Sequence, residues 1–274
     1  MRIVLLCPSP YSESSCATAV LLSRLGYVPT GALTLPSVER RTLIRKIAQW
    51  GVRDVARYAQ SKIISRSRME NQLHNPYLQG LLSHGTSIFR NLHEVGSKYG
   101  FPVVICKAQN GPDSIAQLSE WSPDLMVFTG GDILRGQLLR IPRLGVINLH
   151  LGLLPEIRGM SSPEWSLLTD VPAGVTVHYI DAGIDTGPVL RRCEFPDMAN
   201  CNSLDDLRNQ LIAFGIEKIA EVIAAFGRGT ISARAQSELN HDNQYFVIHE
   251  RLKLLAAQRL QHCQNAAAAV RAHG

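Results

Sequence analysis

Two polar side chains stand two residues apart in the otherwise apolar run Val146-Ile147-Asn148-Leu149-His150. In an extended strand such positions point to the same side, so an amide donor and an imidazole are presented together. A proline- and glycine-containing loop follows, Leu153-Leu154-Pro155-Glu156-Ile157-Arg158-Gly159, and beyond it the turn Ile184-Asp185-Thr186-Gly187. Amide, imidazole and carboxylate form an acyl-transfer set. Asn148 can stabilise an oxyanion, His150 can move protons, and Asp185 can orient the imidazole and support its charge. A histidine standing alone is more often a satisfied structural residue. Asp185-Thr186-Gly187 also matches the tripeptide of aspartic proteases, but that chemistry needs two such aspartates, and this chain has one copy among helical patterns.

These residues must be held by a scaffold, and the hydrophobic pattern predicts one. Ile3 to Cys7 reads as a buried first strand, Cys16 to Leu25 as a helix stopped by Gly26, and Val28 to Leu35 as a second strand. Gly85 to Tyr99 is helical by pattern, Val103 to Cys106 a strand, Ser114 to Trp121 a helix, and Leu125 to Thr129 a strand. A short helix over Ile133 to Leu139 precedes the strand Val146 to His150. Gly174 to Ile180 reads as a further strand, with Val175, Val177 and Tyr179 alternating with Thr176 and His178. Ser203-Leu204-Asp205-Asp206 has the form of a helix start, the helix runs to Gly227, and a last helix spans Phe246 to Gln261. Alternating strands and helices argue for right-handed βαβ units in an α/β, Rossmann-like, mostly parallel sheet. In such sheets ligands collect beyond the carboxyl ends of strands, where Asn148 and His150 fall.

The three chemical elements, in this order and spacing, resemble the catalytic core of the 10-formyltetrahydrofolate-dependent formyltransferases, a family that includes the glycinamide ribonucleotide, methionyl-tRNA and amino-sugar enzymes. That family carries an Asn-x-His strand end, a Leu-Leu-Pro-x-x-Arg-Gly loop and an Asp-x-Gly turn. Here these are Asn148/His150, Leu153 to Gly159, and Asp185/Gly187. The resemblance is close from Asp124 to Leu190 and looser back to Met1. Together with the element pattern it gives a formyltransferase fold with its catalytic core over 1–190 and a basic helical insertion near 36–75. A C-terminal strand and helix extension follows over 191–265, with a disordered tail at 266–274.

The resemblance implies that Asn148 donates to the developing oxyanion and that His150 relays a proton between the attacking amine and the departing folate nitrogen. Asp185 would fix the imidazole, favour its charged form and order a water. The implied co-substrate is 10-formyltetrahydrofolate. Its pterin edge would be bonded mainly by backbone groups of Gly131, Asp132, Ile133 and Leu134 in one loop and of Asp181, Ala182, Gly183 and Ile184 in another, with Leu154 adjoining. Gly130-Gly131 lets the backbone approach a ring closely, although the same pair also suits an ordinary strand-to-helix turn. Leu154-Pro155 is expected to be cis, since such bonds are nearly confined to X-Pro. Where many relatives have Pro-Ser after the histidine this chain has Leu151-Gly152. That change removes a hydroxyl near the acceptor side and leaves the acceptor open.

Arg158-Gly159-Met160-Ser161-Ser162-Pro163-Glu164-Trp165 is similar to the sugar-type and natural-product members, which implies a primary amine on a nucleotide-linked amino sugar or a similar metabolite. The methionyl-tRNA members add a β-barrel beyond the catalytic domain, whereas the 89 residues after Asp185 read as a strand plus two helices. A nucleic-acid partner is therefore not the leading expectation, although the basic insertion keeps a methionyl-tRNA formyltransferase-like enzyme as an alternative. Two other classes remain: hydrolysis of 10-formyltetrahydrofolate, with water replacing the amine, and a folate-binding module without turnover. The complete Asn/His/Asp set argues against the second.

The whole-chain properties agree with an enzyme. Hydrophobic residues make up 45% of the 274 and charged residues 19%, ordinary values for a globular protein able to bury a sizeable core. No apolar run reaches membrane-span length, and Arg2 to Cys7 is too short for a signal peptide, so a cytoplasmic location is expected. Six scattered cysteines without Cys-x-x-Cys pairs predict neither a metal site nor a disulfide. Residues 36–70 hold nine basic side chains against three acidic ones, which is more than the whole chain's net charge of +5. Within them an apolar stripe over 38–65 faces away from Lys46, Arg53 and Arg57, a pattern that fits a solvated helix, an anionic-acceptor clamp, a partner contact or a peripheral membrane contact.

Overall fold

The computed structural model describes residues 1–37, 75–236 and 244–273, so the basic insertion and its stripe lie outside the described residues. Five strands of the sheet run parallel to one another: β1 (Ile3–Cys7), β2 (Gly31–Thr34), β3 (Val103–Ile105), β4 (Leu125–Phe128) and β5 (Gly145–His150). Next to β5 runs β6 (Gly174–Tyr179), antiparallel to it, and β7 (Val189–Glu194) is antiparallel to β6 at the edge. The spatial order is β7-β6-β5-β4-β1-β2-β3, the mostly parallel α/β sheet expected. β1 is buried at every position, as an unbroken apolar run must be when helices cover both faces.

Helices α1 (Glu13–Arg24), α2 (Leu92–Tyr99), α3 (Pro112–Trp121), α4 (Ser162–Thr169), α5 (Leu204–Arg228) and α6 (Glu250–His273) complete the layers. Ser12, Asn91 and Ser203 cap α1, α2 and α5 by accepting from backbone N–H groups of the first turn. On one face of the sheet Ile3, Leu5, Val127, Ile147 and Val177 pack with Val20 and Leu22 of α1 and with Ile216, Ile219 and Ile223 of α5. On the other, Val4, Leu6, Met126 and Val146 pack with Leu118 of α3, Leu134 and Leu138. β5 therefore turns Val146, Asn148 and His150 to the same side. The apolar face gives way to polar chemistry along a single strand.

Several elements differ from the expected ones. Gly85 to Tyr99 is not one helix. Gly85 adopts φ +57° between the short antiparallel pair Ser83–His84 and Ser87–Ile88, and the helix starts only after the Asn91 cap. The helix expected over Ile133 to Leu139 is confined to Gly136–Leu139. α5 passes Gly227 and stops at Gly229 in a left-handed conformation, while α6 starts at Glu250 and continues to His273 where a disordered tail was expected. Four consecutive alanines at 266–269 favour that continuation, being the strongest helix formers. Of the C-terminal extension, β7 joins the main sheet and α6 packs on α4 through Leu167, Ala256 and Leu260. No helix among the described residues is long and apolar enough to cross a membrane.

Gly215 is where α5 meets the functional strand. A Cβ there would lie 2.5 Å from the Leu149 methyls, and Leu149 stands between Asn148 and His150. Gly215→Val should overpack this contact and lower stability by about 1–3 kcal/mol. The check is the urea midpoint, with an unchanged midpoint showing that the helix can shift freely.

Candidate active site

The register of β5 with β6 places Asn148 opposite His178 and His150 opposite Thr176. Directly opposed residues share a face, so the polar half of each strand's alternation forms one patch of Asn148, His150, Thr176 and His178. His150, Thr176 and His178 are nearly inaccessible to solvent. Sequence reading found Asn148 and His150 but not His178. Its only signal was the period-2 alternation of β6, whose polar side reads as solvated until the pairing with β5 is known.

Asp185 reaches this patch from the turn after β6. Its Oδ2 lies 3.3 Å from His150 Nδ1 and its Oδ1 3.5 Å from His178 Nε2. The Gly159 N–H donates to Oδ2 at 2.9 Å. Burial pushes the Asp185 carboxyl up, but the His178 contact, the charges of both imidazoles and the Gly159 N–H outweigh it and hold the group down to about 2. His150 shifts below its ordinary 6.5, because burial outweighs the attraction of Asp185.

The partners fix which nitrogen carries which proton. A carbonyl can only accept, so His150 Nε2–H donates to Ile157 O at 2.7 Å and the neutral ring keeps its lone pair on Nδ1, facing Asp185. A proton taken up by His150 arrives at Nδ1, between ring and carboxylate. By the same reasoning His178 Nδ1–H donates to Tyr179 O at 2.8 Å, leaving Nε2 to accept from the Asn148 amide at 3.2 Å. That bond fixes the Asn148 amide and leaves its second N–H for another acceptor.

The loop after His150 is held at each turn. Thr176 Oγ1 donates to Gly152 O at 2.7 Å and accepts from Leu154 N–H at 3.1 Å, and Leu154-Pro155 is cis as expected. A hydroxyl does lie beside His150, but it comes from position 162. Ser162 Oγ lies 3.2 Å from His150 Nε2, and a Cβ at Gly152 would come within 2.9 Å of both that nitrogen and the Ser162 Cβ. Arg158–Gly159 pairs in parallel with Gln244–Tyr245, and Gly159, at φ +94°, carries no Cβ to collide with the Tyr245 carbonyl. Ile248 N–H donates to Ser161 Oγ, Trp165 Nε1–H donates to Phe246 O, and Glu164 takes both of its ion-pair bonds from Arg208 of α5. Glu164 and Trp165, which carried the sugar-type signature, therefore anchor the loop.

The two loops expected to hold a heterocycle flank this patch. Asp132 and Gln109 bond reciprocally, each backbone N–H donating to the other's side chain at 2.9 Å, and Asn110 donates to Ile133 O at 3.0 Å. A Cβ at Gly131 would run into the Gln109 amide, so this glycine is needed for the staple itself. Ile133 is exposed, Leu134 is buried in the core, and Leu154 is fully buried with its N–H donated to Thr176 Oγ1. In the second loop Asp181, Ala182, Gly183 and Ile184 are all exposed, and the Asp181 carboxylate orders the turn by accepting from Gly183 N–H and Thr186 Oγ1. Among the described residues no group of His, Cys, Asp or Glu gathers as metal ligands.

Residues 87–223 match the family described as formyl transferase. Methionyl-tRNA formyltransferase from Pseudomonas paraeruginosa is 37% identical over 143 residues, covering 52% of this chain and 46% of that protein. The chain thus spans about half the length of the curated relatives it matches. Two solved structures share the fold: glycinamide ribonucleotide transformylase 1 from Symbiobacterium toebii and a sugar N-formyltransferase from a Shewanella species. The first has a TM-score of 0.55 and 17% identity over 86% of this chain and 94% of that one. The second has a TM-score of 0.56 and 14% identity over 95% and 88%.

Both pKa shifts act in the same sense on stability. Asp185, held at about 2 against an ordinary 3.8, binds its proton more readily in the unfolded chain, so its contribution is present above 3.8 and is lost as the pH falls toward 2. His150, lowered from 6.5, contributes fully above that value and loses the contribution as the pH drops through its folded-state value. The urea midpoint should fall steadily on acidification from neutrality, and Asp185→Asn should flatten the most acidic limb. A midpoint independent of pH over this window would show that neither group is perturbed.

Proposed function

The chain belongs to the formyl transferase family, and on that premise we propose that it moves a formyl group from 10-formyltetrahydrofolate to the primary amine of a small acceptor, a nucleotide-linked amino sugar or related metabolite. The observation that carries this reading is the buried contact of His150 Nδ1 with Asp185, on the same strand face as an Asn148 amide with a donor to spare. The fold is shared about equally with a sugar N-formyltransferase and a glycinamide ribonucleotide transformylase, and the acceptor class rests on the sugar-type form of Arg158 to Trp165. Similarity to methionyl-tRNA formyltransferases keeps a charged tRNA as the competing acceptor.

The residues present fit a flat, hydrogen-bonding heterocycle, since the exposed backbone of 181–184 offers polar groups and Ile133 and Ile184 offer exposed apolar side chains. When bound there, the folate supplies the activated formyl group. As the acceptor nitrogen adds to the formyl carbon, the free N–H of Asn148 donates to the oxygen that gains charge. The amine proton passes to His150 Nδ1, where Asp185 stabilises the imidazolium, and then to the departing folate nitrogen as the tetrahedral carbon collapses. His150 is buried, so this transfer runs along the edge it shares with Asp185.

Asn148→Ala and His150→Ala should each retain the fold and lower turnover by about 10²-fold or more. Steady-state rates with a panel of nucleotide amino sugars, methionyl-tRNA and no acceptor, read by mass spectrometry for one added formyl group, test role and acceptor together. Near-normal turnover in either variant removes the assigned role, and formate release without any formylated amine makes the chain a hydrolase.

5-Formyltetrahydrofolate should raise the melting temperature, by an amount equivalent to about 2.7 kcal/mol at a hundredfold excess over Kd, and NAD should not. Stabilisation by NAD alone would return the sheet to its dinucleotide use.

A further inference from the structure

Asp185 holds its carboxylate against two imidazoles from a backbone conformation that disfavours it. Its φ is +53°, in the left-handed region that non-glycine residues avoid, so something must hold the turn there. The Gly159 N–H grips the carboxylate, and a second grip comes from beyond the family-matched residues 87–223. Arg234 pairs with Val189 of β7 through two backbone bonds of 2.8 Å, which fixes the chain alongside the edge strand. Two residues further on, the buried Gln236 side chain donates from Nε2 to Asp185 O at 2.9 Å and to Gly187 O at 2.6 Å. One amide nitrogen thus spans the turn on either side of Thr186. An amide NH₂ has the two protons that two carbonyl acceptors require, and a flipped amide would set oxygen against oxygen. Gln236 Oε1 is itself buried without a hydrogen-bond partner, so the side chain is held by its nitrogen alone.

We propose that Gln236 is a positioning residue of the active site, holding Asp185 in the conformation from which its carboxylate meets His150 Nδ1. The claim rests on the reading of Asp185 as the partner of a catalytic imidazole. It makes the segment after α5 part of the catalytic apparatus although it supplies no reacting atom.

Gln236→Glu keeps the shape but sets a carboxylate against the two carbonyls, and Gln236→Met removes the donor without adding charge. Both should lower kcat by about tenfold to a hundredfold, the scale of a slightly misplaced catalytic group, with KM for 10-formyltetrahydrofolate changed less than about twofold. The titratable groups facing His150 are Asp185 and His178, and Asp185 is the one that raises its pKa. In ¹⁵N NMR of the imidazoles, the His150 titration should therefore move to lower pH in both variants. An unchanged His150 titration, or an unchanged kcat in an active enzyme, overturns the proposal whatever happens to the melting temperature. Should the wild-type chain transfer no formyl group, the proposed function fails while the NMR measurement still decides the role of Gln236.

Discussion

A carboxylate taken out of water stays ionised only where the fold replaces the lost hydration with donors and positive charge. Asp185 meets that demand with the Gly159 N–H, and it faces His150 Nδ1 and His178 Nε2, where an added proton supplies the positive charge. Each partner lies on a different piece of chain. The constraint therefore extends outward: β6 must keep its register with β5 to bring His178 to Asn148, and the loop from Leu151 to Ser162 must close tightly enough for Gly159 to face the Asp185 turn. Thr176, Ser161 and the short ladder with Gln244–Tyr245 serve that closure.

The parts of this arrangement that were legible in the sequence are those governed by local rules. Two polar residues at i and i+2 of an apolar strand share a face whatever surrounds them, so Asn148 and His150 could be paired without a structure. β1 and the start of α5 followed from an apolar run and a capping residue, whereas the start of α2 at Asn91 did not. The residues that stayed hidden act through long-range pairing. His178 becomes a site residue only through its register with a strand 30 positions away. Gln109 and Gln236 are glutamines in loops, where no periodicity marks an amide that will later be buried between carbonyls.

Ser162 and Gly152 illustrate a third case, in which the chemistry was legible but its source was not. The loop was read as having lost a hydroxyl beside the histidine, since glycine stands at 152. A hydroxyl reaches His150 Nε2 from the first turn of α4, and it fits because position 152 has no side chain. A residue's absence and another's presence form one steric unit that position-by-position reading separates.

The ladder between Arg158–Gly159 and Gln244–Tyr245 also sets a schedule for biosynthesis. A ribosome makes Asn148, His150 and Asp185 well before it makes Ile248, and at about 5–20 residues per second the interval is several seconds. During that time the emerging chain can form β1 to β6 yet lacks the strand that covers the Gly159 backbone and the bond to Ser161. The Gly159 backbone and the Ser161 hydroxyl therefore gain these partners only when a short stretch just before the C-terminal helix emerges, long after the loop that carries them is complete.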